Sequence, residues 1–314
     1  MKREFGLEAT TADDDAVVTI GTFDGVHRGH QAILQYLTDR AEQRNGVSTV
    51  VSFDPHPREV VHSEFVPLLT TVDERAKLLE EYGLDRFVVL PFTESFAQLS
   101  PEAYVEEILL DHVGLKEVVI GYDHRFGRNR EGDQAVLERL GQAHGFTVDV
   151  IPAQEVDHDV VSSSRVRELL ADEGDIQRAT EMLGHPFSLA GTVERGEGRG
   201  RKLGFPTANL SLHDERKLVP QIGVYATRVQ VGDTRPLYGG MMNIGRRPTF
   251  DGMDVTVEVH LLDFEGNLYG EAMRVEFLQR LRDEQKFDSP DALVAQLSRD
   301  QEHCRTVLDT IEAA

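Results

Sequence analysis

The 314-residue sequence predicts an α/β domain with a doubly wound parallel sheet, followed by a small antiparallel β-barrel with a C-terminal helix. Three observations carry that expectation. Up to Gly184, short apolar runs alternate with stretches of helical spacing. Beyond Phe187, short alternating runs follow one another across Gly- and Pro-rich turns. The tail, 291–311, returns to a helical period. The length suffices for two domains, 1–184 and 185–314, each with its own core.

In chain order, the apolar runs lie at 17–20, 47–53, 87–91, 118–121 and 148–152. They are too short for helices and read as buried strands. Helical patterns fill the gaps at 31–44, 72–82, 101–112 and 134–144. Pro101 after Ser100, with Glu102 in the first turn, is a helix start. Such alternation gives a parallel sheet wound on both faces, with ligands taken at the carboxyl edge of its strands. Two more helices are expected at 165–171 and 175–184, and the domain boundary falls at Gly184, before His185-Pro186. Strand patterns resume at 188–194, 224–231, 237–243, 255–262 and 273–277, as in an antiparallel sheet or barrel. In the tail, Leu293, Leu297, Cys304, Val307 and Ile311 share a helical face that packs on the barrel. Asp300 interrupts that face and speaks against a coiled-coil partner.

Composition narrows the function classes. A net charge of −22 argues against DNA or RNA as a partner. The first 184 residues carry 17 basic and 35 acidic side chains, the remainder 16 and 20. This acidity fits either ordinary solubility or a surface adapted to high salt. A lone Cys304 excludes a disulfide framework and a cysteine zinc site. MKREFGLEATTADDD has no apolar core of a signal peptide, and no apolar run is long enough to span a bilayer. A cytoplasmic protein is therefore expected.

The first domain is organised around TIGTFDGVHRGH, residues 19–30. A strand ends at Ile20, and Gly21 and Gly25 let the backbone turn tightly and approach a ligand. The loop then enters a helix N-terminus, where anions bind. His27 and His30 stand there, spaced H-x-G-H. Either histidine alone is compatible with a packed residue. The pair in a Gly-rich turn points to phosphates, whose oxygens imidazole N–H groups hold while pyrophosphate leaves. Two loops should reach the same edge: FDPHP at 53–57, and GYDHRFGRNREG at 121–132 with Asp123, His124, Arg125, Arg128 and Arg130. VSSSRVR at 161–167 opens the next helix. Its three serines and two arginines exceed what an N-cap needs and suit a triphosphate.

In the second domain the chemistry lies in ERGEGRGRKLGFPTAN, residues 194–209. Gly196, Gly198, Gly200 and Gly204 with Arg199, Arg201 and Lys202 suggest a flap that cradles phosphate. No G-x-x-x-x-G-K-[ST] occurs, so this is not a P-loop. The neutral oxygens of Thr207 and Asn209 suit Mg²⁺. Glu258 lies in VTVEVHLL, where alternation buries Val255, Val257 and Val259 and turns Glu258 to the other face with Thr256 and His260. There it is either an exposed strand residue or a base for a substrate hydroxyl.

Over nearly its whole length the chain resembles the bifunctional bacterial FAD synthetases, which join an FMN adenylyltransferase domain to a riboflavin kinase domain. GTFDGVHRGH and VSSSRVR are similar to the nucleotide-binding motifs of the first half, as are FDPHP and GYDHRFGRNREGD to its other segments. GRKLGFPTANL, NIGRRPTF, VEVHLLDFEGNLYG and LRDEQKF are similar to kinase segments. The H-x-G-H element alone implies only the wider nucleotidyltransferase superfamily; both sets in this order are specific.

The resemblance implies a nucleotidyltransferase-like first domain and two ATP-dependent reactions. Riboflavin becomes FMN with ADP released, and FMN becomes FAD with pyrophosphate released. It implies ATP contacts in the first domain from Gly21, Phe23, Asp24, His27, His30, Ser163, Ser164 and Arg167, and flavin contacts from Asp54 and Asp123. In the kinase half it implies ATP contacts from Gly198, Gly200, Lys202, Thr207 and Asn209, with Mg²⁺ at Thr207 and Asn209. Glu258 would be the base, and Arg282 and Phe287 would hold the flavin. Ser164 stands where many relatives carry Thr, and the hydroxyl is kept. The implied partners are riboflavin, FMN and ATP, with neither nucleic acid nor membrane; an oligomer is left open. An alternative is a single-activity H-x-G-H nucleotidyltransferase acting on another phosphorylated small molecule, against which PTAN and Glu258 speak.

Overall fold

The computed structural model describes residues 1–13, 15–157, 159–196, 198–232, 236–249 and 252–312. It divides into two compact units, Met1–Ser163 and Ser164–Ala314. In the first, β1 (Lys2–Phe5), β2 (Ala16–Ile20), β3 (Val47–Asp54), β4 (Arg86–Pro91), β5 (Leu115–Gly121) and β6 (Thr147–Ile151) form one sheet. Their order is β1-β4-β3-β2-β5-β6 and every pairing is parallel. Val18, Ile20, Val88 and Val118 enter one core, while Val17, Val50, Phe87 and Val119 enter the other. Neighbouring residues of a strand thus serve opposite faces, as a doubly wound sheet requires.

β1 is a strand the sequence does not predict, because KREF has no apolar run. The buried Glu4 carboxylate accepts from Arg86 Nε at 2.5 Å, and Arg86 also donates to the carbonyls of Val113 and Thr11. Buried charge, not apolar surface, seats this edge strand. The expected helices appear at Val72–Glu81, at Gln134–His144 and from Pro101 onward under a Ser100 cap. Tyr104–Val113 continues the last of these in widened π turns. The helix expected from residue 31 starts earlier, at Arg28, with His27 as its N-cap. A short hairpin, β7 (Glu155–Val156) and β8 (Asp159–Val160), precedes the helix Ser163–Glu168.

The second unit begins ahead of the boundary expected at Gly184. The helix Ile176–Leu183, capped by Asp175 and Gly184, buries Ile176, Ala179, Met182 and Leu183 and packs on a barrel strand. The barrel strands are β9 (Ser188–Glu194), β10 (Ala208–Leu212), β11 (Gly223–Val231), β12 (Leu237–Thr249), β13 (Gly252–Leu261) and β14 (Ala272–Arg282). They close antiparallel in the order β10-β13-β12-β11-β14-β9. β10 holds the end of the PTAN segment, where Ala208 and Leu210 are buried between polar neighbours.

The helix Pro290–Glu312 buries Cys304 and Val307 against Ala226 and Leu262. Asp300, the charge that interrupts its stripe, is itself buried: it accepts from Arg282 Nη2 at 2.7 Å and from Gln296 at 2.7 Å. Ile311, expected on the packed face, is 42% exposed near the helix end.

Candidate active sites

In the first unit, β2 delivers the chain into a loop held in an unusual shape. Phe23 and Val26 adopt φ of 49° and 40°, with Gly25 at 84°. Non-glycine residues take such angles only when the surroundings impose them. Here both side chains are buried, and Asp24 beneath them is fully buried. The Asp24 carboxylate accepts from the N–H of Leu69 and Thr70 and from Thr70 Oγ1, at 2.8–3.0 Å. Phe23 and Asp24, expected at the ATP, therefore turn their side chains into the protein and leave only backbone to a ligand. Gly21 is small for a local reason: a Cβ there would stand 3.2 Å from the Phe23 ring.

The two histidines are brought together. Their rings stack with centroids 3.6 Å apart, and His27 Nδ1 accepts from the His30 N–H at 3.3 Å. A neutral His27 thus carries its proton on Nε2. Gly29 is the residue that permits this, since a Cβ would meet the His27 ring at 3.2 Å. Burial, then the neighbouring His27 and Arg75, push the His30 imidazole well below its usual 6.5. Among the described residues its buried Nδ1 has no hydrogen-bond partner. From the second motif, Ser163 Oγ donates to the Asp24 carbonyl at 2.9 Å, tying VSSSRVR to the loop. Ser164 is exposed and Arg167 partly buried; both fall in the second compact unit.

The other two loops bring aromatic rings to the carboxyl edge. Phe53 at the end of β3 lies 5.4 Å from Phe92 and 5.7 Å from Phe96, and Phe96 meets Tyr104, which meets Phe126. His124 stacks on Phe126, and burial pushes its imidazole down to about 4. Among the described residues neither the buried His124 Nε2 nor the buried Tyr104 hydroxyl has a hydrogen-bond partner. Asp54 ends β3, and Asp123 is exposed in the loop after β5. Sequence reading missed this ring cluster, although FDPHP, PF at 91–92, ESFA at 94–97 and RFG at 125–127 carry its phenylalanines in plain view.

In the barrel, Thr207 Oγ1 donates to Glu258 Oε2 at 2.9 Å. Asn209 on β10 and Asn243 on β12 are the direct cross-strand partners of Glu258 on β13. Asn243 opens NIGRRPTF, a segment the sequence singles out without a role for this residue, and the strand register sets it opposite Glu258. Because the Thr207 proton goes to Glu258, the hydroxyl's lone pairs are left for another partner. A carboxylate with hydroxyl and amide oxygens is a hard donor set that fits Mg²⁺ sharing its shell with phosphate and water. Among the described residues no group of three or more His, Cys, Asp or Glu could hold a metal.

The glycine flap packs onto these residues. A Cβ at Gly196 would strike the Asn209 amide, and one at Gly200 the Phe205 carbonyl. Gly198, at φ 66°, starts the short helix Arg199–Lys202, whose Lys202 is exposed. The Arg199 side chain and Phe250 of NIGRRPTF lie outside the described residues. Beside Thr207 opens a cleft of about 280 Å³ lined by Val193, Arg201, Pro206, Leu261, Phe264 and Tyr269. Two expectations on β13 need correction. Val255, expected in the core, is 51% exposed. His260 is buried, its Nδ1 2.8 Å from the Pro206 carbonyl, so that face is no solvent face. Arg282 is held by Asp300 and lies over the Phe287 ring at 5.8 Å.

Comparison with known proteins agrees with both halves. A family model described as FAD synthetase matches residues 9–165, and one described as riboflavin kinase matches residues 183–308. Bifunctional riboflavin kinase/FMN adenylyltransferases match along most of their length. That of Escherichia coli K12 is 39% identical over 92% of this chain and 91% of its own. That of Pseudomonas fluorescens is 42% identical over 90% of each. The chain belongs to the bifunctional riboflavin kinase/FMN adenylyltransferase family. A solved structure described as a macrolide-efflux protein from Streptococcus pneumoniae is also similar, at 32% identity and a TM-score of 0.88 over 97% of this chain and 99% of that one. Among the described residues no helix is long and apolar enough to cross a membrane. With the kinase family matched across the barrel, the single-activity alternative falls away.

Proposed function

We propose that FMN adenylyl transfer belongs to residues 1–184 and riboflavin phosphorylation to residues 185–314 of a bifunctional transferase for flavin cofactor synthesis. The enzyme converts riboflavin and ATP to FMN and ADP, then FMN and ATP to FAD and pyrophosphate. The observation that carries the two-site reading is Glu258, hydrogen-bonded to Thr207 and opposite Asn209 in the barrel. An enzyme that only transferred adenylyl groups would have no use for such a site.

In the barrel, Glu258 accepts a hydrogen bond from the ribityl hydroxyl and takes its proton as that oxygen attacks the terminal phosphorus. The adenosine occupies the cleft beside Thr207, and backbone N–H groups of the Gly198–Gly200 flap with Lys202 close over the phosphates. Thr207 and Asn209 would hold Mg²⁺, which when bound offsets phosphate charge. Phe287 takes the flavin face, steadied by the Arg282–Asp300 pair.

In the first domain, His27 and His30 donate from their ring nitrogens to ATP phosphate oxygens as an FMN phosphate oxygen attacks the α-phosphorus. The Gly21 turn lets backbone approach, and Ser163 supports the triphosphate from the second motif. The FMN ring lies against Phe53, Phe92 and Phe126, with Asp54 and Asp123 at the rim. Both reactions consume ATP, from which we infer a cytoplasmic location. The test is to incubate the protein with riboflavin, ATP and Mg²⁺ and resolve the flavins by chromatography. FMN should appear first and FAD after it. Unchanged riboflavin would refute the kinase half, and FMN without FAD the other.

A further inference from the structure

The chemistry above leaves Arg75 unused, although its guanidinium is only 3% exposed on the helix Val72–Glu81. A buried cation is costly unless it is paired and hydrogen-bonded, so its partners indicate its task. Nη1 donates to Ser52 Oγ at 2.9 Å. Nη2 donates to the Thr70 carbonyl at 3.3 Å and stands 4.0 Å from Asp24 Oδ1.

Each partner is a relay into the strained loop. A serine hydroxyl has one proton; with Arg75 donating to its oxygen, Ser52 sends that proton to the Thr22 carbonyl at 3.1 Å. Thr70 Oγ1 donates to Asp24 Oδ1 at 3.0 Å and accepts from the Gly25 N–H at 2.9 Å. One planar fork thereby fixes the Ser52 hydroxyl and the Thr70 backbone, and the hydroxyls of Ser52 and Thr70 grip the loop at residues 22, 24 and 25. The same loop holds Phe23 at positive φ, a shape that needs external restraint.

We propose that Arg75 is a positioning residue for adenylyl transfer, which acts through Ser52 and Thr70 to hold the loop 22–25 in the shape that receives ATP. The proposal rests on reading that loop as the ATP site. It assigns Arg75 no contact with ATP, FMN or the kinase site.

The test is steady-state kinetics of both reactions on the full chain, with Arg75→Met, Arg75→Lys, Ser52→Ala and the Arg75→Met/Ser52→Ala pair. Misplacing a binding loop by an ångström costs up to about 10²-fold, so Arg75→Met should lower kcat/KM for ATP in adenylyl transfer by roughly 10–100-fold. The loss should lie mainly in KM for ATP, while KM for FMN and riboflavin phosphorylation stay near parent values. Lysine restores a charge without the fork and should recover only part of the loss. The paired variant should be no worse than Arg75→Met, because the arginine acts on residue 22 through the serine. Equal losses toward ATP and FMN, a parallel loss of kinase activity, or additive effects in the pair would overturn the proposal. Should Arg75→Met fail to fold, Ser52→Ala alone must raise KM for ATP and leave KM for FMN unmoved, or the proposal fails. A parent chain that makes no FAD from FMN and ATP would count against the site assignment instead.

Discussion

The two candidate sites of this chain are built by opposite means. In the first unit the candidate groups sit in a loop beyond a parallel strand. The sheet ladder reaches the loop at the Gly21 N–H, which donates to the Val51 carbonyl, and beyond it the loop is gripped by other segments: Asp24 by the backbone at 69–70, and the Asp24 carbonyl by Ser163. In the barrel the working groups sit on neighbouring antiparallel strands. Cross-strand partners there are ~5 Å apart by construction, and Asn209, Glu258 and Asn243 meet by register alone. Only the flap above them needs glycine freedom. The parallel sheet has its candidate site fastened by groups from other segments, whereas the antiparallel barrel aligns its own with the strand register.

The sharpest way to break this contrast is Glu258→Gln. Gln still accepts a hydrogen bond from Thr207, so the ladder and the cleft are preserved. It is a very poor base, and kinase turnover should fall by roughly 10²–10⁴ while riboflavin still binds nearly normally. Supplied with FMN and ATP, the same variant should make FAD at the parent rate. Equal loss of both activities, measured side by side, would mean that the two sites are not separate. Intact kinase activity would reduce Glu258 to a strand residue.

Next in size is the loss of either stacked histidine. His27→Ala removes an N–H donor and the helix N-cap together; His30→Ala removes the buried ring beside it. Either should cost roughly 10²–10³ in adenylyl transfer, as for removal of one preorganised donor. Riboflavin should then pile up as FMN. FAD formation at near the parent rate would make the pair structural.

The barrel's candidate site was legible where strand pattern and motif coincide, and the structure brings Thr207, Asn209 and Glu258 together. Alternation also misled there: Val255, read as core, is exposed, because period alone does not say where a sheet loses its cover. In the first unit H-x-G-H was visible in the sequence, but its supports were not. Asp24 reads as a polar residue beside a ligand, yet its partners lie 45 and 46 positions away. Glu4 with Arg86, and Arg282 with Asp300, are likewise buried ion pairs between distant segments. Periodicity records apolar burial, and a buried pair of charges leaves the same trace as a solvated one.

The mildest expected effect separates the units by pH. In the barrel, Arg216 beside Asp214 holds that carboxyl below its usual 3.8. Its contribution is present above that value and is lost only in stronger acid. In the first unit, burial lowers His30 and takes His124 down to about 4. The unfolded chain takes up protons on these imidazoles below about 6.5, while the folded unit does not until much lower pH. Stability from the neutral rings is therefore whole above about 6.5 and drains away as the pH falls toward the folded value. Between pH 6.5 and 5, amide hydrogen exchange on the full chain should accelerate in β2 and β5 before it does in β11 and β12. His124→Phe keeps a ring against Phe126 and cannot titrate, so it should lessen that early loss. If both units lose protection together and the variant behaves as the parent, the buried imidazoles do not govern the acid response of the first unit.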